Sequence, residues 1–274
     1  MIAPFGLGYG RDMNFGFVVP WADADEVAEL AVVAEEHGWD GIFVWEPVWG
    51  ADAWISLALA AVRTGRIRVG TMLTPPSRRK PWELAGQAAT VDRLSGGRLT
   101  LSVGLGAPES GMAAFGEECD RRVRAELMDE CLDIVAGLWG GQPFEYTGKH
   151  YQVGPTEFPT IGNVVQQPRP PIWCVGAIGY DKSMARALKW DGLIPQVIDG
   201  DGARQANLEE LQALSGDLPA GYDVIVEGVQ ADHSPAAWAD AGATWWIESQ
   251  WDAVGQARPQ LATFDRLREG PPSA

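Results

Sequence analysis

The feature that most limits how this chain can fold is an alternation of short apolar runs with longer amphipathic runs. The short runs are apolar at successive positions, which is typical of parallel strands that helices cover on both faces. The predicted strands are 13–21, 41–45, 66–73, 99–104, 171–176, 192–195, 222–228 and 244–248. The predicted helices are 23–38, 52–62, 81–94, 120–139, 181–190, 203–214, 235–242 and 253–268.

Eight such strand–helix units in 274 residues predict an α/β fold, a single (β/α)8 TIM barrel, a fold that takes ~250 residues. An open doubly wound sheet is the alternative. It normally has a GxGxxG turn after its first strand, where this chain has Pro20-Trp21-Ala22-Asp23. Alternating residues over 143–153 predict a small hairpin after the fourth helix. We expect one barrel domain over 13–274, with residues 1–12 as an N-terminal extension or a loop that caps the bottom of the barrel.

Composition excludes several partners. The net charge is −16, so nucleic acids and anionic membranes would be repelled. No apolar run approaches the ~20 residues that span a bilayer, and no signal peptide precedes the first strand. The three cysteines show no CxxC spacing, which favours free thiols and a cytoplasmic location.

A barrel of this kind places its site at the C-terminal ends of the strands. None of the three histidines falls there, so we expect no metal centre. Three carboxylates do fall there, which leaves a glycosidase with two carboxylates as an open alternative: Glu46, Glu227 and Glu248.

Two glycine-rich turns, VGLG (103–106) and VGAIG (175–179), follow predicted strands. Such turns let backbone N–H groups approach an anion, most favourably where a helix follows, as it does after 179. The alternative is that these glycines only make tight turns. A nearby group of tryptophans favours a planar phosphorylated cofactor: Trp21, Trp45, Trp49 and Trp54.

Several separated motifs resemble one family. The segment 66–106 contains RIRVGT, DRLSGGR and VGLG in this order, and AFG, ECLDIVAGLWGG and FEYTGKHYQV follow within 114–153. From 13 to 195 the chain resembles the bacterial-luciferase-like family of flavin-dependent oxidoreductases, whose members are FMN- or deazaflavin-dependent.

This resemblance implies a barrel that binds reduced FMN or the deazaflavin coenzyme F420 (also written F-420), with the phosphate at the turn 176–179. It also implies a cis peptide bond between Met72 and Leu73. Arg98 is a further candidate for the phosphate, and its alternative role is an ion pair at the start of the fourth strand. The other expected cofactor contacts are Thr71, Met72, Leu73, Gly106, Ala107, Val175, Gly176, Ala177, Ile178 and Gly179.

The chain also departs from the family pattern. Deazaflavin members often carry Asp-His after the second strand, where this chain has Glu46-Pro47, and sugar-phosphate dehydrogenases have a glutamate where it has Ala107. Glu46 is then the candidate general base. The expected substrate contacts are Trp21, Trp45, Trp49, Gln196 and Glu248.

We therefore expect a monooxygenase that uses reduced FMN and oxygen on a small organic substrate. Hydride transfer with coenzyme F420 is the first alternative, and a non-catalytic flavin-binding subunit is the second. The resemblance also allows a separate flavin reductase and a homodimer as partners.

Overall fold

The computed structural model describes residues 13–159, 163–200, 202–227, 233–251 and 259–272, so the predicted extension 1–12 lies outside the described residues. The strands are β1 Asn14–Val19, β2 Gly41–Val44, β3 Arg68–Thr71, β4 Leu99–Val103, β5 Phe144–Thr147, β6 Gln152–Thr156, β7 Ile172–Ala177, β8 Gly192–Asp199, β9 Gly202–Gln205, β10 Asp223–Glu227 and β11 Trp245–Ser249. The helices are α1 Ala24–Glu36, α2 Ala53–Arg63, α3 Pro81–Ser95, α4 Arg121–Gly140, α5 Asp181–Ala187, α6 Leu208–Leu214, α7 Pro235–Asp240 and α8 Pro259–Arg268.

The parallel strands form a closed ring in the order β1, β2, β3, β4, β7, β8, β10, β11. Asn14 of β1 lies opposite Trp245 of β11, and Asp223 of β10 lies opposite Gly192 of β8. No open edge remains in this ring, so the predicted (β/α)8 barrel is confirmed over the open sheet. The predicted hairpin is also present, as the antiparallel pair β5–β6 between α4 and β7.

The helix boundaries follow local signals. Asp23 and Glu26 form a reciprocal capping box at the start of α1. Pro81 is the first residue of α3, where a missing N–H costs nothing, and Gly96 ends that helix with a φ of 67°. Among the described residues, no helix combines the length and the hydropathy that a membrane span needs.

The predicted helix 203–214 starts too early. The strand predicted as 192–195 continues to Asp199, and the chain turns back at Gly200, whose φ is 56°. Gly202–Gln205 then pairs antiparallel with the end of β8, and the helix begins only at Leu208. Pairing with a long neighbouring strand thus outweighs the helical propensity of the sequence. The last helix is described from Pro259, and 252–258 lie outside the described residues.

Three aromatic side chains fill the barrel axis. The ring centroid of Phe43 lies 5.5 Å from that of Trp173, which lies 5.1 Å from that of Trp245. Glycines make room for them, because a Cβ at Gly192 would lie 2.4 Å from Trp173 and one at Gly41 would lie 2.7 Å from Phe43. The axis is therefore closed below the strand ends, as close packing of interiors requires.

Arg98 lies at the opposite end of the barrel from the strand ends, just before β4. Its guanidinium donates to the carbonyl oxygens of Ala61 and Thr64 at the end of α2, at 2.8 and 2.9 Å, and to that of Ile67. The structure therefore places Arg98 in neither of its two expected roles, phosphate contact or ion pair. It holds α2 and α3 together instead.

We predict that Arg98→Ala destabilises the protein without affecting cofactor affinity. Buried carbonyl groups that lose a donor cost about 1–3 kcal/mol each, so the free energy of unfolding in urea should fall by about 2–4 kcal/mol. Arg63→Ala is the control, because Arg63 is exposed on α2 and its loss should change stability by less than about 0.5 kcal/mol. Weaker cofactor binding at unchanged stability would contradict this assignment.

Candidate active site

Side-chain alternation along the strands determines which residues face the mouth of the barrel. Phe43, Ile194 and Ile225 belong to the cluster that fills the barrel interior. Residues two positions further along a strand point to the same side. Trp45, Gln196 and Glu227 therefore lie above the aromatic plug, on the inner side of the strand ends. Ala177 follows Trp173 by four residues and belongs to the same ring.

A buried cation lies on one side of this mouth. Arg124 of α4 is 4% exposed, and its Nη1 donates to the carbonyl oxygens of Leu105 and Gly106 at 2.6 and 2.9 Å. Its Nε is buried without a hydrogen-bond partner, and no described carboxylate lies within 4 Å of the guanidinium. A buried charge without a partner is costly, so this position favours an anion.

The turn after β7 lies on the same side, because the Arg121 guanidinium at the start of α4 stacks 5.9 Å from the Tyr180 ring centre. Two of its amides are already used: Ala177 donates to Ser183 Oγ at 3.0 Å and Ile178 donates to the Gln196 carbonyl at 2.8 Å. The Gly179 amide has no acceptor among the described residues, and Gly179 has a φ of 82°. This turn therefore offers fewer free donors than the sequence suggested.

The glycine at 176 has a packing role. A Cβ there would lie 2.4 Å from Leu193 Cδ1, so only glycine fits between β7 and its neighbour β8. This packing contact accounts for a glycine at 176 without a bound anion, and a cofactor contact at Gly176 stays a prediction.

The ends of β3 and β4 form the part of the mouth next to Arg124 and the turn after β7. The expected cis peptide bond between Met72 and Leu73 is present. A Cβ at Gly104 would lie 2.8 Å from Leu73 and 3.0 Å from Val175, so these three residues meet at the mouth. Thr71 is fully buried and bridges β3 to β4 through Ser102, and Ala107 is exposed.

Glu46 is held by three donors. Arg79 Nε donates to its Oε1 at 2.7 Å, while Thr74 Oγ1 and Trp54 Nε1 donate to its Oε2 at 3.0 and 3.3 Å. Arg78 also clamps the following backbone by donating to the carbonyl oxygen of Pro47 at 3.0 Å. A carboxylate that accepts from three donors, one of them charged, is fixed in position. These contacts favour a positioning role for Glu46.

The predicted tryptophans gather at one cavity. A cavity of about 450 Å³ opens between the ends of β1 and β2 and the starts of α1 and α2. Trp21, Trp45 and Trp49 line it, and Trp21 and Trp49 are 50% and 79% exposed. Trp54 is buried at Glu46 instead. Val19 and Val44, which face the helices, also line this cavity, so it lies beside the mouth and not inside the barrel. Its exposed indole rings can contact a ligand at this edge of the mouth.

Glu248 is separated from the other predicted substrate contacts. It alternates with Ile247 of the barrel interior, so its side chain points outward. Both of its oxygens accept hydrogen bonds from Arg266 of α8, at 2.6 and 2.7 Å. This ion pair joins the last helix to the barrel, and we do not include Glu248 in the site.

The third strand-end carboxylate, Glu227, faces the mouth. Trp251 Nε1 donates to its Oε1 at 3.1 Å, and Gln205 Nε2 donates to its Oε2 at 3.3 Å. Removal from water raises the pKa of the Glu227 carboxyl above its ordinary value, and the bond from Trp251 lowers it by less. Gln196 pairs directly with Gln205 across β8 and β9, which places all three polar residues in one row.

Sequence reasoning missed Arg124, Arg79 and Gln205. Arg124 had a signal: it precedes the buried residues Met128 and Cys131 by four and seven positions, so it lies on the buried face of its helix. An arginine on such a face needs a partner. The other two had no such signal, because Gln205 fell in a segment predicted to be helical and Arg79 in a loop.

No group of three or more potential ligands in the described ranges is arranged to hold a metal ion. The expected homodimer stays a prediction. On α2, an exposed row of three apolar residues has no covering element within the described chain: Ile55, Leu59 and Val62.

Comparisons with known proteins agree with this geometry. Residues 9–270 match the luciferase-like monooxygenase family. The F420-dependent glucose-6-phosphate dehydrogenase of Nakamurella multipartita is 31% identical over 231 residues, which are 76% of this chain and 66% of that protein. The chain belongs to the luciferase-like monooxygenase family.

Two solved structures share the fold. The coenzyme F420-dependent tetrahydromethanopterin reductase of Methanopyrus kandleri gives a TM-score of 0.64 at 20% identity, covering 87% of this chain and 65% of that one. The oxygenating constituent of 3,6-diketocamphane monooxygenase from Pseudomonas putida, in complex with FMN, gives a TM-score of 0.60 at 19% identity. The match covers 86% of this chain and 66% of that one. Relatives thus use F420 or FMN.

The chain spans about two thirds of the length of these proteins. A Mycobacterium tuberculosis relative whose name refers to coenzyme F420 is 35% identical over 136 residues, which are 49% of this chain and 38% of that protein. These partial matches show the family and its fold.

We predict that the Glu46–Arg79 pair contributes to stability. Breaking a buried ion pair costs about 3–5 kcal/mol, and the cost falls to about 1–3 kcal/mol here because 20% of the Arg79 side chain is exposed. Glu46→Ala should show this loss in urea denaturation, and Glu46→Gln a smaller one, because its amide oxygen still accepts hydrogen bonds.

A double-mutant cycle with Arg79→Ala should give a coupling of at least about 1 kcal/mol. The exposed pair Lys80–Glu83, at 3.7 Å, is the matched control and should couple by less than about 0.5 kcal/mol. Equal coupling in the two cycles would show that Glu46 is not an anchor.

Proposed function

We propose that this protein is an F420-dependent oxidoreductase that transfers a hydride between the deazaflavin and a small organic substrate. The observation that carries the proposal is the buried guanidinium of Arg124 beside the mouth, whose Nε has no acceptor and which has no carboxylate partner among the described residues. Such a position suits the phosphate of this cofactor. The choice of F420 rests on the Nakamurella relative, whose name gives an F420-dependent dehydrogenase. When bound, the deazaflavin supplies a two-electron hydride carrier.

The residues that would hold the cofactor lie on the β3–β4–β7 side of the mouth. Arg124 and the free amide of Gly179 would bind the phosphate. Leu73, Gly104 and Val175 lie in close contact there and would support the flat ring of the cofactor. Because residue 104 is a glycine, no side chain projects from it between Leu73 and Val175. Arg98 and Glu248 have no part in this proposal.

The substrate would enter from the opposite side, where Trp21, Trp45 and Trp49 surround the cavity. These indole rings would exclude water and orient a flat or apolar substrate. Trp45 itself is held in place, because its Nε1 donates to the carbonyl oxygen of Pro20 at 2.7 Å. Glu46 would keep the loop after β2 fixed through Arg78 and Arg79.

FMN-dependent monooxygenation, the function that the sequence analysis favoured, is the second candidate. The description of the matched family supports it. It would require a supply of reduced FMN, for which a separate flavin reductase is the expected partner. The glycosidase alternative has lost support, because Glu46 and Glu248 are both ion-paired with arginines.

One pair of titrations separates the candidates. Reduced F420 and reduced FMN are titrated anaerobically into the protein, and air or a carbonyl compound is then added. The proposal expects tighter binding of F420 and its oxidation by the carbonyl compound. Oxygen consumption that depends on reduced FMN would establish the second candidate, and binding without either reaction would indicate a non-catalytic subunit.

We predict that Arg124→Gln selectively weakens phosphate-bearing ligands. A hydrogen bond to a charged group contributes about 1.5–3 kcal/mol, so affinity for F420 and FMN should fall about 10–150-fold. The parent compounds without phosphate, deazariboflavin and riboflavin, should lose less than about threefold. Fluorescence titration measures all four affinities.

Arg122→Gln is the matched control, because the Arg122 side chain is 87% exposed on the same helix and should have no effect. Circular dichroism verifies that each variant is folded. An equal loss for all four ligands would mean that the variant disturbs the loop at Gly106, and the phosphate assignment would be wrong.

A further inference from the structure

Glu227 differs from the other two carboxylates at the strand ends in the charge of its partners. Glu46 is ion-paired with Arg79 and Glu248 with Arg266. The partners of Glu227 are the neutral side chains of Trp251 and Gln205, and no described cation lies within 4 Å of it. A carboxyl group that has only neutral donors can gain and lose a proton without breaking an ion pair.

The charged groups on the neighbouring strands do not face Glu227. On β9, Arg204 binds Glu210 at 2.7 Å and lies 3.9 Å from Asp199 of β8, on the other face from Gln205. On β11, Glu248 points outward to α8. Asp223, four residues earlier on β10, lies at the bottom of the barrel and accepts from Trp173 at 3.0 Å.

Glu227 is connected to the proposed substrate side of the mouth through one tryptophan, Trp251. Trp251, which donates to it, packs edge-on against Trp45, with ring centroids 5.8 Å apart. Trp45 lines the cavity that we assign to the substrate. On the other side of Glu227, Gln205 and Gln196 present two carboxamides in the same row. A carboxyl group that lies between carboxamides and indoles can bind the oxygen of a substrate and exchange a proton with it.

We propose that Glu227 is the proton-transferring residue of this enzyme, and that the substrate reacts at a carbonyl or hydroxyl group placed against Glu227 and the Gln196–Gln205 pair. The proposal rests on the hydride transfer proposed above. In oxidation, the Glu227 carboxylate would accept the proton of the substrate O–H group, while the C–H bond would give its hydride to the oxidised deazaflavin and a C=O bond would form. In reduction, the Glu227 carboxylic acid would protonate the substrate oxygen, while the carbonyl carbon would accept a hydride from the reduced deazaflavin.

The first test needs neither cofactor nor substrate. The indole N–H of Trp251 is followed by ¹⁵N NMR as a function of pH, with Trp251→Phe to assign its resonance. Because this N–H donates to Glu227, its shift should titrate with a midpoint above the ordinary glutamate value of about 4.3. The titration should vanish in Glu227→Gln and persist in Glu209→Gln, which changes an exposed glutamate of α6.

The second test measures turnover with F420 and the ketone that the wild-type protein reduces fastest in a panel of simple ketones. Glu227→Gln should lower kcat by about 10²–10⁴-fold with little change in KM, the usual scale for a positioned acid or base. F420 affinity should not change. The ketone reduction rate of the wild type should fall as pH rises through the midpoint seen by NMR, because reduction needs the protonated acid. Glu209→Gln should behave as wild type.

The outcomes separate the two proposals. A wild-type protein that binds F420 but reduces no ketone in the panel, or that does not bind F420, would overturn the hydride transfer to carbonyl compounds and with it the role of Glu227. A wild-type protein that reduces the ketone, with normal kcat in Glu227→Gln, would overturn only the role of Glu227. A Trp251 resonance that ignores pH would also overturn that role.

Discussion

The packing of Phe43, Trp173 and Trp245 at the barrel axis determines which residues the surrounding strands can carry and where a ligand can bind. An eight-stranded barrel leaves just enough space for side chains to fill its centre. Three large rings there require small residues on the facing strands, which Gly41, Gly70 and Gly192 supply. With the axis filled, the space above the plug forms the mouth in which we propose that the cofactor and the substrate bind.

The mouth has two sides of different chemistry. Within the described part of the chain, the β4–β7 side carries a buried cation that has no carboxylate partner, Arg124. The β8–β10 side carries a carboxyl group that has no described cation as a partner, Glu227. A charge in such a position is stabilised when a ligand of opposite charge binds to it, or is removed when the group gains a proton. The same electrostatic rule underlies both proposals, an anionic cofactor group on the first side and a proton-exchanging substrate on the second.

The sequence predicted the barrel because parallel strands buried on both faces leave a distinct alternation of apolar runs. It placed the start of α6 wrongly, since the pairing of Gly202–Gln205 with β8 depends on a tertiary contact that no local pattern shows. The candidate site was less predictable. Arg98 was chosen for its motif, although its position before β4 puts it at the wrong end of the barrel, and Arg124 was overlooked on a helix face. The positions at strand ends identified Glu46, Glu227 and Glu248 equally. Only their partners in space distinguish them: Glu46 and Glu248 are ion-paired with arginines, and Glu227 accepts hydrogen bonds from neutral side chains.

A crystal structure of the protein with bound F420 would show where the cofactor phosphate lies. The phosphate should lie within hydrogen-bond distance of the Arg124 guanidinium and the Gly179 amide, with the ring beside Leu73 and Val175 and with Glu227 open to the remaining space. A phosphate bound after β10 and β11, with no phosphate oxygen at the Arg124 guanidinium, would contradict the proposed phosphate site.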